Sequence, residues 1–250
     1  MRIVFHVLAT VYALIVMPCI GWAGQDITVF AAASLKEALD EVALAYSGDV
    51  VLSYGGSGLL ARQVAQGAPA DVVLLANTAW MDWLEERGAV AAGSRVDLLG
   101  NTLVLVAPRG AAELSRISAD VLLNRLDGGR LAIGQTRGVP AGIYARQWLE
   151  NMRFWAKLQP HLAETENVRS TLALVSRHEA PMGVVYGSDA MADPGVAVIY
   201  EIPSDQHDKI TYTVAAVKGG AATHFIEFLQ SDQSFKIFSK HGFIPIGATQ

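Results

Sequence analysis

Short apolar runs that do not alternate with polar residues constrain this chain more than any other feature. Ile27 to Ala31, Val50-Val51-Leu52 and Val72 to Leu75 come first, and a helical spacing of apolar residues follows each of them. The first of these helices carries Leu35, Leu39, Val42 and Tyr46 on one face, and the second runs through Leu60 and Val64. Asn77 or Thr78 caps the third, which bears Trp80, Trp83 and Leu84. A strand with no polar face must be covered on both sides, the condition of a parallel sheet between layers of helices. The pattern then restarts. Leu103 to Ala107 reads as a strand closed by Pro108, 129–134 as another, and Pro140 opens a helix reaching about Met152. Asn167 caps a helix through Leu172 and Val175, while Met182 to Tyr186 and Thr211 to Val217 read as strands. Helices around Phe225 to Leu229 and near Phe235 and Phe238 end the chain.

The chain of 250 residues starts with Arg2, an almost wholly apolar stretch from Ile3 to Ile20, and small residues in Gly21-Trp22-Ala23. That is the layout of a secretory signal peptide over 1–23, so the mature protein is expected in the periplasm, beginning at or near Gly24. The single cysteine, Cys19, falls inside the leader, which leaves no disulfide and no thiolate metal site. No later apolar run is long enough to span a membrane. The formal net charge is −5, and loss of Arg2 with the leader makes it more negative. Nucleic-acid binders draw most of their affinity from basic patches, so this composition argues against such a partner. An anionic ligand would have to be attracted by local donors. There is no repeat, low-complexity tract or flexible linker, so any division into lobes passes through ordered chain. The expected fold is α/β with two lobes, each a mostly parallel sheet flanked by helices. The first lobe would comprise 24–101 plus 218–250 and the second 102–217, with the C-terminal helices returning to the first.

The strand-to-helix junctions carry the chemistry. Ser34 begins "SLKE", which reads as a capping box with Glu37. Ser57 sits in "YGGSGLL", where glycines allow a tight turn and close approach to a ligand. Ala141 follows Pro140, a residue favoured at the first helical position, so its N–H is one of the unpaired donors of a helix start. Val168 follows the cap Asn167 and offers the same kind of donor, and Tyr186 ends the strand "MGVVY". In parallel α/β sheets ligands collect outside the carboxyl ends of the strands, where helix N-termini carry partial positive charge. Several such ends together make an anion site without lysine or arginine. Taken singly, a serine at a helix start is a cap, a glycine-rich turn is a turn and a strand-end tyrosine is a core residue.

The motifs "VFAAASL", "GAPADVVLLAN", "LLGNTLVLVAP", "GGRLAIG", "VPAGIYA" and "ALVSRHEAPMGVVYGSDA" occur in this order, with "GF" near the end. From about Ile27 to Phe243 the chain resembles the periplasmic molybdate-binding proteins of ABC transporters. The resemblance implies a periplasmic-binding-protein fold of the second type. It also implies a tetrahedral oxyanion, molybdate or tungstate, held by two serines, a tyrosine hydroxyl and backbone amides. Matched motif by motif, those positions are Ser34, Ser57, Ala141, Val168 and Tyr186. It implies a membrane permease as partner, no cofactor, no metal beyond the molybdenum of the oxyanion, and a monomer. The departure is the second turn, where Gly55, Gly56 and Gly58 surround a lone serine.

Three other readings compete. An enzyme would need a nucleophile or an acid–base pair, yet "GGSGL" is no G-x-S-x-G elbow because Leu59 replaces the second glycine. No HExxH, P-loop or CxxC is present, and His161, His178, His207, His224 and His241 are expected on the surface. A solute-binding fold turned to catalysis, such as a dehydratase, has only Asp71 and Asp189 as nearby acids, both expected to act as helix caps or turn formers. A binder of an organic carboxylate or another small anion would use an arginine, and Arg137 and Arg169 lie beside the proposed site in sequence. A divalent-metal binder would need clustered His, Asp or Glu, and none occurs.

Overall fold

The computed structural model describes residues 26–217 and 222–247. The expected leader, 1–23, and Cys19 lie outside the described residues. The chain first lays down β1 (Ile27–Ala32), α1 (Lys36–Ala45), β2 (Val50–Gly55), α2 (Ser57–Ala65), β3 (Val72–Leu75), α3 (Thr78–Glu86) and β4 (Val96–Gly100). It then crosses to a second sheet. There it forms β5 (Leu103–Pro108), α4 (Ala119–Leu126), β6 (Leu131–Gly134), α5 (Pro140–Asn151), α6 (Trp155–Leu158), β7 (Leu162–Thr165), α7 (Val168–Ser176), β8 (Met182–Tyr186), α8 (Gly187–Ala192) and β9 (Val196–Ile202). It returns as β10 (Thr211–Ala216), α9 (Thr223–Leu229), α10 (Asp232–Lys240) and β11 (Ile244–Pro245).

The first sheet has the order β11-β4-β10-β3-β1-β2 and the second β7-β6-β8-β5-β9. Two lobes were expected and two are present, but the sheets are mixed. Pairing is parallel for β1 with β2 and β3, and for β6 with β7 and β8. It is antiparallel for β10 with β3 and β4, and for β5 with β8 and β9. The strands that carry the chain across therefore run against their neighbours. One lobe boundary also moves. Thr211–Ala216 was assigned to the second lobe, yet it pairs with β3 and β4 in the first sheet. The return crossing thus precedes residue 211. An apolar run such as "TYTVAA" states that it is buried and nothing about which sheet buries it.

The central strands are covered on both faces, as their composition requires. Every residue of β3, β8 and β10 is buried, whereas the edge strand β2 alternates, with Val51 and Ser53 exposed. Leu39 and Val42 of α1 are fully buried against the first sheet, and α9 seals the same lobe. There Tyr46 meets Phe225 edge-on at a ring separation of 5.1 Å. Lys240 and His241 at the end of α10 both bond Glu41 of α1, tying the C-terminus to this lobe. Leu39→Ala should therefore lower unfolding free energy by about 2–5 kcal/mol. A urea titration should show a lower midpoint with an unchanged slope, and a loss below about 1 kcal/mol would contradict the described packing of α1.

Candidate functional site

The carboxyl ends of β1, β2, β6 and β8 face one another across the space between the lobes, and the expected residues meet there. Ser34, Ser57, Ala141, Val168 and Tyr186, together with Asn167, line one cavity. Ser34 and Ser57 come from the first lobe and the other three from the second. The empty space is about 210 Å³, including the part open to solvent. None of the lining residues carries a charged side chain.

Each position has a local cause. Ser57 is the first residue of α2 after the cap Gly56, and its Oγ accepts the Ala76 N–H at 3.0 Å. Pro140 fixes the start of α5, so Ala141 is its second residue, and Asn167 caps α7 by accepting the Ser170 N–H at 2.9 Å. The N–H groups of Ala141 and Val168 belong to the first turn, where no intrahelical acceptor exists. Tyr186 ends β8 with its ring buried, and among the described residues its hydroxyl has no hydrogen-bond partner. Burial pushes that phenol well above its ordinary pKa, with the neighbouring Tyr212 and Tyr144 adding to the effect. It stays a neutral donor.

Ser34 is in place but does not cap α1. The chain enters that helix through a 3-10 turn, Ala33–Leu35, so Ser34 lies inside the turn and not ahead of it. Its Oγ is 2.8 Å from the hydroxyl of Tyr212. Glu37, the other half of the expected box, turns away to Arg169 of the second lobe. Arg169 also donates to the Ser34 carbonyl at 3.1 Å, and its Nε sits 2.7 Å from Asp189 Oδ1. That last contact is an ion pair whose N–H angle falls short of a hydrogen bond. The guanidinium is held by these contacts and does not line the cavity. Arg137 is exposed and does not line it either. Of the two acids considered, Asp189 caps α8 by accepting the Tyr186 N–H at 3.1 Å. Asp71 binds the Thr28 N–H at the amino end of β1, far from the cavity. None of the histidines lines it.

The glycines of the second turn have a different reason from the one expected. None of Gly55, Gly56 and Gly58 has positive φ. A Cβ on Gly56 would collide with the Glu166 carbonyl oxygen, and one on Gly58 would lie 2.5 Å from Gly138 O and 2.6 Å from the Trp80 ring. They let the opposite lobe come close. Trp80 reinforces the approach, donating from Nε1 to Gly138 O at 3.1 Å across the cleft. Tyr212, Asn101 and Trp80 were not singled out from sequence. A tyrosine in a wholly apolar strand signals only that its hydroxyl needs a partner.

Two α/β lobes with a small uncharged cavity between the carboxyl ends of their strands are the architecture of a solute-binding protein. The chain matches the family of bacterial extracellular solute-binding proteins over residues 27–244, and it belongs to that family. The molybdate-binding protein ModA of Escherichia coli is 44% identical over 229 residues, 87% of this chain and 88% of that protein. The protein of the same name from Haemophilus influenzae is 38% identical over 230 residues, 88% of this chain and 91% of that one. Among solved structures, the periplasmic molybdate-binding protein of Azotobacter vinelandii aligns with a TM-score of 0.76 at 21% identity, covering 88% of this chain and 99% of that one. At that identity the likeness concerns the fold.

Asp189 generates a pH dependence. Burial raises its pKa from 3.8 to about 6, a shift that Arg169 and the Tyr186 N–H only partly offset. The folded chain therefore holds this proton more tightly than the unfolded chain. The associated stability is complete below about pH 4 and is lost as pH rises through about 6. Asp189→Asn lacks the titration. Its stability relative to the wild type should rise by roughly 1–3 kcal/mol between about pH 4 and pH 7, read from denaturant melts. A difference independent of pH would mean that Asp189 does not titrate as described.

Proposed function

We propose that this protein is the substrate-binding component of an ABC importer for molybdate, and for tungstate as well. In this reading it is exported to the periplasm by a cleaved leader, acts as a monomer and delivers its ligand to a membrane permease. Ser34, Ser57 and Tyr186 hydroxyls and the Ala141 and Val168 amides hold the oxyanion, all of them neutral donors. The observation that carries the proposal is the Tyr186 hydroxyl, buried without a partner at the wall of an uncharged cavity. Leaving such a group unsatisfied costs about 1–3 kcal/mol, a cost that a bound acceptor removes. Family membership supports a solute-binding role, and the names of the two ModA relatives support the ligand.

The donor set favours a fully deprotonated tetrahedral dianion. Phosphate near neutral pH keeps a proton, and no carboxylate lines the cavity to accept it. A hydroxyl could accept it only by turning its own hydrogen away from the anion, so a donor is lost either way. Molybdate, tungstate and sulfate carry no such proton, and the choice of the first two over sulfate rests on the relatives. A carboxylate solute is less well served, because Arg169 is taken up by Glu37 and Asp189. Catalysis by a carboxylate or imidazole would need one at the wall, and among the described residues none lines it.

Molybdate or tungstate at a hundred times its dissociation constant should stabilise the fold by about 2.7 kcal/mol, a rise in Tm of roughly 5–11 °C. Differential scanning fluorimetry should show little shift with phosphate at the same concentration. A larger rise with phosphate, or none with molybdate, would overturn the assignment. Tyr186→Phe separates a binding role from a structural one. Loss of a hydrogen bond to a charged ligand, about 1.5–3 kcal/mol, should weaken molybdate roughly ten- to hundredfold in calorimetry. The unliganded variant should be no less stable than the wild type, because it sheds an unpaired buried hydroxyl. Unchanged affinity would remove Tyr186 from the site.

A further inference from the structure

Ser34 and Ser57 each have a hydrogen-bond neighbour at the hydroxyl oxygen. For Ser57 the neighbour is a backbone N–H, that of Ala76, which can only donate. For Ser34 the partner is the Tyr212 hydroxyl, which can donate or accept. The direction of that bond decides whether Ser34 presents a hydrogen or a lone pair to the cavity.

Asn101 sets the direction. It sits where the chain passes from β4 to β5, and its Oδ1 receives two backbone N–H groups, Thr102 at 2.9 Å and Ser188 at 3.4 Å. The reversed amide would point its own N–H₂ at those donors, so the orientation is fixed. Asn101 Nδ2 then donates to Ser188 Oγ at 2.8 Å and to the Tyr212 hydroxyl at 3.3 Å. Tyr212 has a single hydrogen, and among the described residues its hydroxyl makes hydrogen bonds with Asn101 and Ser34, while the nearby Tyr186 hydroxyl falls outside hydrogen-bond geometry. Having accepted from Asn101, it donates to Ser34. Burial, with the charge of Asp189 nearby, holds the Tyr212 phenol well above its ordinary pKa, so the hydrogen stays on it.

We propose that Asn101 and Tyr212 are positioning residues for the ligand: a directed chain from Asn101 through Tyr212 to Ser34 commits the Ser34 hydroxyl to donating into the cavity. The chain makes Ser34 equivalent to Ser57 by a side-chain route. It also reaches from the crossing segment to α8 of the second lobe, through Ser188, and to β10 of the first. The inference deepens the oxyanion-binding function proposed above and rests on it.

The test is a double-mutant cycle in sodium molybdate, read by titration calorimetry on the wild type, Ser34→Ala, Tyr212→Phe and the double variant. Phenylalanine keeps the ring contacts with Tyr186 at 5.8 Å and Phe243 at 5.4 Å. If Tyr212 acts through Ser34, Tyr212→Phe should weaken molybdate roughly three- to tenfold in the wild-type background and hardly at all in the Ser34→Ala background. A purely structural loss would be the same in both. Equal losses in the two backgrounds, or no loss in the wild type, would overturn the relay while leaving the ligand intact. A wild type that ignores molybdate would overturn the proposed function and the relay with it. If Tyr212→Phe fails to fold, Asn101→Asp takes its place. A carboxylate only accepts, so Tyr212 turns towards it and Ser34 must give up its own hydrogen. The loss with Ser34 present should then exceed the loss in the Ser34→Ala background, and equal losses would again refute the relay.

Discussion

Recognition of an anion by neutral groups depends on holding each donor rigid, because no single donor attracts strongly enough to reorganise its surroundings. Everything else in the fold serves that requirement. Each proposed donor stands at the end of an element whose body is buried in a sheet: Ser57 after β2, Ala141 beyond β6, Tyr186 at the end of β8. A helix N-terminus contributes a fixed partial charge without a desolvation cost comparable to that of a buried lysine. The two lobes are needed because one sheet presents only its own carboxyl ends. Facing two sheets across a cleft surrounds a small anion from both sides.

The charged residues close to the cavity are spent on one another. Arg169 binds Glu37 across the cleft and lies against Asp189 within its own lobe. Such an arrangement contributes little net stability, since desolvation offsets most of the attraction, but removing one partner strands the others. Its position explains its presence. It joins the first turn of α7, next to Val168, to the carbonyl of Ser34, and so links two proposed donors, one in each lobe. The clasp aligns the lobes while keeping full charges off the wall.

How much of this was legible in the sequence varied with the range of the interaction responsible. Pro140 and Asn167 mark helix starts within one or two residues, so Ala141 and Val168 could be placed although neither side chain suggests a role. The position of Ser34 was legible and its bonding was not, because a 3-10 turn and an α-turn look alike in "SLKE". Its true partner, Tyr212, is 178 residues away, and nothing local in "TYTVAA" points to it. The same distance hid the sheet to which β10 belongs. Arg169 could be placed beside the site in sequence, but its partner Glu37 lies 132 residues before it and nothing local points to the pair. Short-range chemistry was readable, and pairing across the cleft was not.

The bare backbone contacts of the second turn have a mechanical consequence. Gly56 against the Glu166 carbonyl, and Gly58 against the Gly138 carbonyl, leave no room for even a methyl group between the lobes. Side chains yield by changing rotamer, but main chain on main chain is incompressible at this scale. In the proposed function the cleft would therefore act as a caliper with a hard stop. An occupant slightly too wide would hold the jaws apart at both contacts and break the Trp80 bond. One slightly too narrow would leave the jaws resting on the stop with its donors out of reach.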